Sequence, residues 1–296
     1  MKSLESSKLR FAYTSILILF AVYAFLRLWP IAQAFFQSFT NTDLFKLETS
    51  FVGLDNYVKL FTRDRNFMTA LTNTLVFAFS TAAISLVLAF SIALLMSRRK
   101  LFGTGIYQSL LFLPVVVSVV PSAIIWKWIY DPQYGILNFV LRFFGASPIG
   151  WLVDADYSMM SVVIFVIWKW LGYYMVIFIV GLANIPEDYL EAATIDGASR
   201  PQLLGRIIIP LMGPIILFAS VMATIKGFTI FSEVYVMTVG SQGAPGNMVR
   251  VLAFDIYERA LLYGRIGEAN AEALVLFLIL AVFTLAQVRI NRMRQR

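Results

Sequence analysis

Residues 191–210 read EAATIDGASRPQLLGRIIIP, a polar stretch between two strongly apolar runs. Pro186 stands where a helix tolerates proline, in the first turn. The acidic residues after it, Glu187 and Asp188, lie near the positive end of the helix dipole, where negative charge is favourable. Gly197 supplies a left-handed residue that ends the helix after Asp196. At roughly 16 Å this helix is too short to span a membrane. It is therefore predicted to be a capped helix outside the bilayer.

A second helix is predicted to follow at once. Ser199 and Gln202 have the three-residue spacing of a capping box, and the helix is expected to end near Pro210, where the next apolar run begins. The result is a helix–glycine–helix elbow between two membrane spans.

The first helix of the elbow carries features of a docking element. The paired Ala192 and Ala193 leave a flank that another surface can approach closely, and Glu191 and Asp196 offer charges to a partner. Two interpretations follow from these residues: an elbow that a partner holds and pushes, or a well-capped connector.

The composition is typical of membrane proteins. Of 296 residues, 59% are hydrophobic and 14% are charged, and the mean hydropathy is +0.78, whereas soluble domains are nearer a quarter charged. Cys and His are absent, which excludes a disulfide framework and the usual zinc and haem ligands. The net charge of +7 fits the Lys and Arg that membrane proteins keep in cytoplasmic loops.

Six apolar runs are long enough to cross a bilayer, which needs roughly 17–25 residues. The sequence predicts an all-α integral membrane protein with six transmembrane helices and a cytoplasmic helix between spans four and five. The first run is too long for a straight crossing and contains Arg27 and Pro30, so a kink is expected there. The predicted spans are 11–39, 71–96, 106–130, 158–184, 211–239 and 271–288. The chain is predicted to be one transmembrane domain (1–296), with a basic amino-terminal segment (1–10), a core (11–290) and a basic tail (289–296).

Charge predicts the orientation. The side that holds both termini and the elbow carries 12 Lys and Arg in 52 residues, against 8 in 91 residues on the other side. The cluster Arg98-Arg99-Lys100 and the basic tail account for the difference. By the positive-inside rule both termini and the elbow are predicted to be cytoplasmic.

Two loops on the predicted outer side, 51–61 and 248–263, show apolar residues at helical spacing. In the second, Leu252, Ile256 and Ala260 align on one face. The charged residues that face elsewhere are Arg250, Asp255, Glu258 and Arg259. The two interpretations are helices that lie on the outer membrane surface and a rim that docks an external partner.

Catalytic motifs are absent from the sequence. No phosphate loop of the form G-x-x-x-x-G-K-[ST] occurs, and Gly103-Thr104-Gly105 lacks both the third glycine and a preceding strand. There is no Ser-His-Asp set and no metal-ligand spacing. The chain is therefore predicted to be no enzyme by itself and to bind no cofactor, with its energy supplied by another polypeptide.

Ionisable residues inside spans are candidates for function. Lys127 lies near the outer end of span three, where a lysine can snorkel to the interface. Lys169 lies deeper and faces either a translocation path or a neighbouring helix. Lys226 and Glu233 are seven residues apart and are expected on one helix face.

Aromatic residues near these charges could hold a polar ligand such as a sugar, although most aromatic residues of the chain are expected to serve packing or interface belts. The candidates for a substrate path are Lys169, Tyr173, Tyr174, Lys226, Phe228, Phe231 and Glu233.

The elbow resembles the EAA signature of permeases from binding-protein-dependent ABC importers: EAA, three residues, Gly, nine residues, then Ile-x-Leu-Pro. The matching residues are Glu191, Ala192, Ala193, Gly197, Ile207 and Pro210. Ile209 stands where the family usually has Leu.

The remaining chain resembles the carbohydrate and glycerol-phosphate branch, the maltose-type permeases, over most of residues 10–290. The similar segments are 51–61 (FVGLDNYVKLF), 111–138, 181–199 and 231–247. Departures are Ala244 where members often have Gly, the charge of Arg27, and the missing outer insertion of the maltose permease itself.

The resemblance implies a mechanism. In this family the EAA segment is a coupling helix that sits in a cleft of a cytoplasmic ATPase subunit. It would comprise Glu191, Ala192, Ala193, Asp196, Gly197 and, at the end of the elbow, Pro210. The implied partners are a second, similar permease in a heterodimer, a dimer of ATP-binding cassette ATPases that binds ATP and Mg²⁺, and an external solute-binding protein. The implied location is the cytoplasmic membrane of a bacterium or archaeon, and the implied cargo is a sugar or sugar-like solute.

Two other functions are consistent with a polytopic chain. An ion-coupled secondary transporter would have to work with Glu233 as its intramembrane acid and would leave the elbow unexplained. A structural or assembly protein would need neither a cargo path nor an ATPase.

Overall fold

The computed structural model describes residues 2–46, 49–97, 103–238 and 248–294. Over these ranges the chain forms helices joined by turns, with an antiparallel bridge between Thr40 and Phe51, so the all-α prediction is confirmed. The basic cluster at 98–100 and the segment 239–247 lie outside the described residues. Two compact units are present, one formed by the residues up to Asp64 with Ile256–Val275, the other by Arg65–Asp255 with the residues from Leu276 onward.

The helices follow one another along the chain with three wide π-turns among the described residues. The helices are α1 (Lys2–Tyr23), α2 (Trp29–Gln37), α3 (Asp55–Thr62), α4 (Arg65–Met96), α5 (Thr104–Val116), α6 (Val119–Ile129), α7 (Ile136–Phe143), α8 (Ala155–Ala183), α9 (Glu187–Ile195), α10 (Arg200–Leu203), α11 (Ile209–Leu211), α12 (Gly213–Phe228), α13 (Ser232–Thr238), α14 (Leu252–Tyr257) and α15 (Ile266–Arg294). The π-turns are Ala24–Leu28, Leu204–Ile208 and Glu258–Leu262.

Four helical stretches of the described chain are long and apolar enough to cross a membrane, and the number rises to six if each of two bent pairs is one crossing. The single stretches are Phe11–Gln37, Arg65–Met96, Ala155–Ala183 and Ile266–Met293. The bent pairs are α5 with α6, at 101°, and Arg200–Leu211 with α12, at 71°. The four single stretches overlap predicted spans one, two, four and six, and the first bent pair overlaps span three. The second bent pair covers residues 200–228, whereas the predicted fifth span is 211–239.

The predicted third and fifth spans differ from single helices. The run 106–130 is divided at Val117 and Ser118, whose backbones are extended. Four residues after Val117 stands Pro121, whose ring would clash with the Val117 carbonyl in a continuous helix. The run 211–239 is interrupted between Phe228 and Ser232.

Proline does not break the first span. The kink expected near Arg27 and Pro30 takes the form of the π-turn Ala24–Leu28 within a continuous helical stretch from Phe11 to Gln37. A wider turn accommodates a residue that has no N–H and that crowds the carbonyl four residues earlier. The elbow uses the same solution, since the π-turn Leu204–Ile208 precedes Pro210.

In the first unit, α3 is tied to the end of α2 by a buried amide. Asn56 Nδ2 donates to the carbonyls of Ser38, at 2.9 Å, and Thr40, at 2.8 Å. This confirms a helix within the predicted segment 51–61 and explains its place in the unit.

The first unit also contains a buried ion cluster. Arg259 lies 2.7 Å from both Asp64 and Glu272 and 3.7 Å from Glu268, and its side chain is 6% exposed. Arg259 lies on the charged face of 248–263, and its partners come from 64 and 268–272. On the same face Asp255, in the second unit, is buried and pairs with Arg250 at 2.7 Å.

Close helix packing organises the second unit, in which α4, α8 and α12 pack together. A Cβ at Gly227 of α12 would lie 2.7 Å from Ala78 Cα of α4, and a Cβ at Gly172 of α8 would lie 2.2 Å from the Leu111 carbonyl oxygen of α5. Small residues allow such approach between membrane helices, where packing rather than hydrophobicity drives association.

Candidate coupling elbow and translocation site

The elbow has the caps that the sequence predicts. Helix α9 begins directly after Pro186 and ends at Ile195. Gly197 has φ +79° and donates its N–H to the Thr194 carbonyl at 3.1 Å, so the left-handed glycine is confirmed. The capping box is confirmed as well, because the Ser199 N–H donates to Gln202 Oε1 at 2.8 Å.

Most of α9 is exposed, which is the condition for docking. Glu191, Ala192 and Asp196 are exposed, and Ile195 is 85% exposed. Ala193, however, is buried, so the expected flank of two alanines is wrong: one turns to the protein and Ala192 alone remains on the outer face. Ile195 is the large apolar side chain on that outer face, and it was visible in the sequence as an isoleucine in a polar helix.

A groove lies beside α9 within the second unit. Its volume is about 1090 Å³, and its walls combine apolar residues of α4 and α8 with Glu187 and Glu191 of α9 and Arg200 of α10. The elbow is therefore attached to the spans at its ends and open along one side.

Within the bundle, α8 and the two sides of the break in span five form a charged cluster. Lys226 Nζ lies 3.9 Å from the centroid of the Trp170 ring and 3.9 Å from Glu233 Oε1. The Trp170 indole N–H donates to the same carboxylate oxygen at 3.3 Å. The predicted pair is thus brought together, although α12 ends at Phe228 and the two residues do not share one helix face.

Little space lies beside the cluster. The cavity there has a volume of about 10 Å³, with Thr81, Ser85, Tyr174 and Lys226 in its wall, which is space for about one water. A sugar does not fit in this cavity.

The other two lysines contact backbone carbonyls. Lys127 Nζ donates to the Val236 carbonyl at 3.4 Å. Lys169 is 1% exposed and donates to the carbonyls of Pro114, Val115 and Val117. Lys169 was expected to face either a translocation path or a neighbouring helix. In the structure its ammonium faces the backbone of span three.

The aromatic candidates fall into separate groups. Tyr173 and Tyr174 contact each other on α8, with ring centroids 5.4 Å apart, and Tyr173 also lies near Trp170. Phe228 is buried against Phe283 and so is not beside the charged cluster. Phe231 packs against Tyr235 at 5.4 Å.

Trp170, which links Lys226 to Glu233, was not among the predicted site residues. Its flanking position next to Lys169 was visible, but the sequence shows several tryptophans at span ends, where an interface belt is the ordinary role.

The helices define a multi-pass membrane protein, and sequence comparison identifies its family. The family model described as "Binding-protein-dependent transport system inner membrane component" matches residues 85–294. The trehalose/maltose transport system permease protein MalF of Thermococcus litoralis is 30% identical over 292 residues, which cover 99% of this chain and 97% of that protein. The sn-glycerol-3-phosphate transport system permease protein UgpA of Agrobacterium fabrum is 30% identical over 263 residues, which cover 88% and 87%.

A solved structure shares the fold. A chain of a bacterial ABC transporter involved in the import of the acidic polysaccharide alginate aligns with a TM-score of 0.85 over 100% of both chains, at 21% identity. The chain described above belongs to the family of binding-protein-dependent transport system inner membrane components. It is a permease subunit of an ABC importer, not the ATPase, as the resemblance of the EAA segment predicted.

Proposed function

We propose that this chain forms the translocation path for a sugar or sugar-like solute that an external binding protein delivers. The observation that carries the proposal is the near-full-length similarity to permeases named for trehalose/maltose and sn-glycerol-3-phosphate transport. The polar cluster at Trp170, Lys226 and Glu233 supports it, because it offers hydrogen-bonding groups and an aromatic face within the second unit.

In this proposal α9 is the coupling helix. Glu191, Ala192 and Ile195 lie on its exposed side, and Asp196 follows, where they are available to a cleft in an ATPase subunit. Gly197 and the capping box fix the angle between α9 and α10, so a displacement of α9 would reach α12 through Pro210. Rigid helices pass on displacements because packed elements deform little.

The remaining assembly follows from the same mechanism. ATP and Mg²⁺ would be bound by a pair of ATPase subunits, and a second permease would complete the path. The excess of Lys and Arg on the elbow side supports cytoplasmic termini and a cytoplasmic elbow. The whole chain would serve as one transmembrane domain.

Transport by the assembled complex tests the proposal. The permease pair, the ATPases and the binding protein are reconstituted in vesicles, and uptake of labelled trehalose, maltose and sn-glycerol 3-phosphate is measured with and without ATP. We expect ATP-dependent uptake of at least one of these solutes. Uptake that follows a sodium or proton gradient and ignores ATP would instead establish the secondary transporter.

The path is tested by a matched pair of tryptophan variants on α8. Trp170→Phe keeps an aromatic ring but removes the N–H that donates to Glu233. In the proposed path this N–H would donate to the bound solute instead. Since one hydrogen bond contributes about 1 kcal/mol, we expect its loss to raise the KM for uptake by about fivefold.

The control is Trp168→Phe, two residues earlier on the same helix. The ring of Trp168 packs on the rings of Trp126 and Phe165, whereas Lys226 lies over the ring of Trp170. Its KM should stay within about twofold of the parent, a change of under 0.5 kcal/mol. An unchanged KM for Trp170→Phe would contradict the proposal that Trp170 and its two charged neighbours line the path.

A further inference from the structure

The break in span three coincides with three backbone carbonyls that the helix does not use. In a continuous helix the Pro114 and Val115 carbonyls would accept from residues 118 and 119, but α5 ends at Val116 and α6 begins at Val119. The Val117 carbonyl has no donor four residues later, because that residue is Pro121. In a membrane each carbonyl without a donor costs several kcal/mol.

Lys169 donates hydrogen bonds to these three carbonyls. Its ammonium has three N–H donors, and it donates to Pro114, Val115 and Val117, the middle one at 3.5 Å. A cation at the carboxyl end of a helix is also favoured by the helix dipole. The three donors of Lys169 therefore meet three carbonyls at the break.

Proline alone does not explain a bend of 101°. Helix α5 continues through Pro114, and the first span passes Pro30 in a π-turn without a break. What distinguishes the break at Val117 is a buried lysine at its carbonyls.

The close approach of α8 to α5 makes this contact specific. Gly172, one turn from Lys169, leaves no room for a Cβ against the Leu111 carbonyl, so the two helices meet closely at this point. The next residue after Lys169, Trp170, contacts the two charges on either side of the break in span five. Two consecutive residues of α8 thus contact the breaks of two spans.

We propose that Lys169 is a positioning residue that holds span three in its bent form, and that transport requires this bend. The role differs from that of a residue that lines the path, because the ammonium is directed at the backbone and is buried. The part of the proposal that concerns transport rests on the function proposed above, whereas the part that concerns the bend stands independently.

Five forms of the assembled complex test it: the parent, Pro121→Ala, Lys169→Met, the double variant of these two changes, and Lys169→Arg. Pro121→Ala restores an N–H for the Val117 carbonyl but leaves Lys169 in place, so the bend and the uptake should be retained. In the double variant α5 and α6 can join into one helix that satisfies its own carbonyls. We expect it to assemble and to be straight, with uptake lower by roughly tenfold or more, the equivalent of at least 1.4 kcal/mol.

The bend is measured directly by spin labels. The chain has no cysteine, so Ile106→Cys with Trp128→Cys, both at exposed positions, gives the two labelling sites of this subunit. From the helix rise, their Cα atoms should be about 21 Å apart across the 101° bend and about 33 Å apart in a straight helix. The parent and Pro121→Ala should give the short distance and the double variant the long one.

The proposal would be overturned by a long distance in Pro121→Ala with Lys169 intact, by a short distance in the double variant, or by a straight double variant whose uptake equals that of the parent. Lys169→Arg, which keeps a multiple donor, should retain both the bend and at least half of the uptake. If the double variant does not assemble, the label distances in Pro121→Ala and Lys169→Arg test the proposal. A long distance in either of these variants would mean that span three had straightened, and that would overturn the proposal. None of these results bears on whether the parent complex imports a sugar.

Discussion

Gly197→Val is expected to lower ATP-driven uptake by roughly tenfold or more while the subunit still inserts and assembles, because a residue forced into a left-handed backbone costs of order 1–3 kcal/mol. Gly197 has φ +79°, and nothing lies within 4 Å of a Cβ built there. The cost is therefore one of backbone conformation and not of a clash. The chain between α9 and α10 would relax to a negative φ and change the angle at which the elbow meets its partner.

The matched control is Gly205→Val. Gly205 is also exposed and also has nothing within 4 Å of a built Cβ, but it lies in the π-turn of the same elbow with negative φ. Uptake and ATP hydrolysis are measured in the same vesicles. We expect Gly205→Val to keep at least half of the uptake, and Gly197→Val to hydrolyse ATP without matching uptake. Equal uptake by both variants would contradict the coupling role of the elbow.

Arg259→Met should cause the largest loss of stability, about 3–5 kcal/mol, as expected when one member of a buried ion cluster is removed. The substitution keeps much of the side-chain volume but takes the positive charge away from Asp64, Glu268 and Glu272. Glu272 is fully buried. The midpoint of thermal unfolding of the purified complex should fall by on the order of 10 °C.

Arg265→Met provides the comparison. Arg265 also pairs with Glu268, at 3.6 Å, but its side chain is 59% exposed, and exposed pairs contribute about 0–1 kcal/mol. The two variants remove the same charge from the same unit, so net charge is controlled. A thermal midpoint for Arg259→Met equal to that of Arg265→Met would show that the cluster contributes little to stability.

The sequence predicts the apolar runs and the elbow caps well, because both depend on local residues. Mean hydropathy finds membrane helices since lipid requires long apolar stretches. Gly197 and the box of Ser199 and Gln202 follow from steric and hydrogen-bonding rules that act within a few residues. These parts of the fold were confirmed without knowledge of any distant contact.

The features that the sequence did not predict depend on partners distant in the chain. The sequence placed Arg259 on the charged face of 248–263 but did not identify its partners, the carboxylates of Asp64 and Glu272. Helical periodicity gives the direction of a side chain but not what faces it across the fold. The bend of span three is similar, because its stabilising donor, Lys169, lies 52 residues beyond Val117.

The candidate path was only partly visible for a related reason. Lys226 and Glu233 were paired on the assumption of one continuous helix, and they meet across a break instead. Trp170 contacts both Lys226 and Glu233, but nothing in the sequence distinguishes it from the many other aromatic residues. The separate burial of Phe228 against Phe283 likewise needs the position of α15.

The lysine lying over Trp170 also matters for the electrical state of the membrane. Its charge is balanced inside the membrane by Glu233, whose carboxylate oxygen lies 3.9 Å from the Lys226 ammonium. A movement that carries the two residues together transfers no net charge across the membrane, whereas a movement that separates them along the membrane normal works with or against the membrane potential.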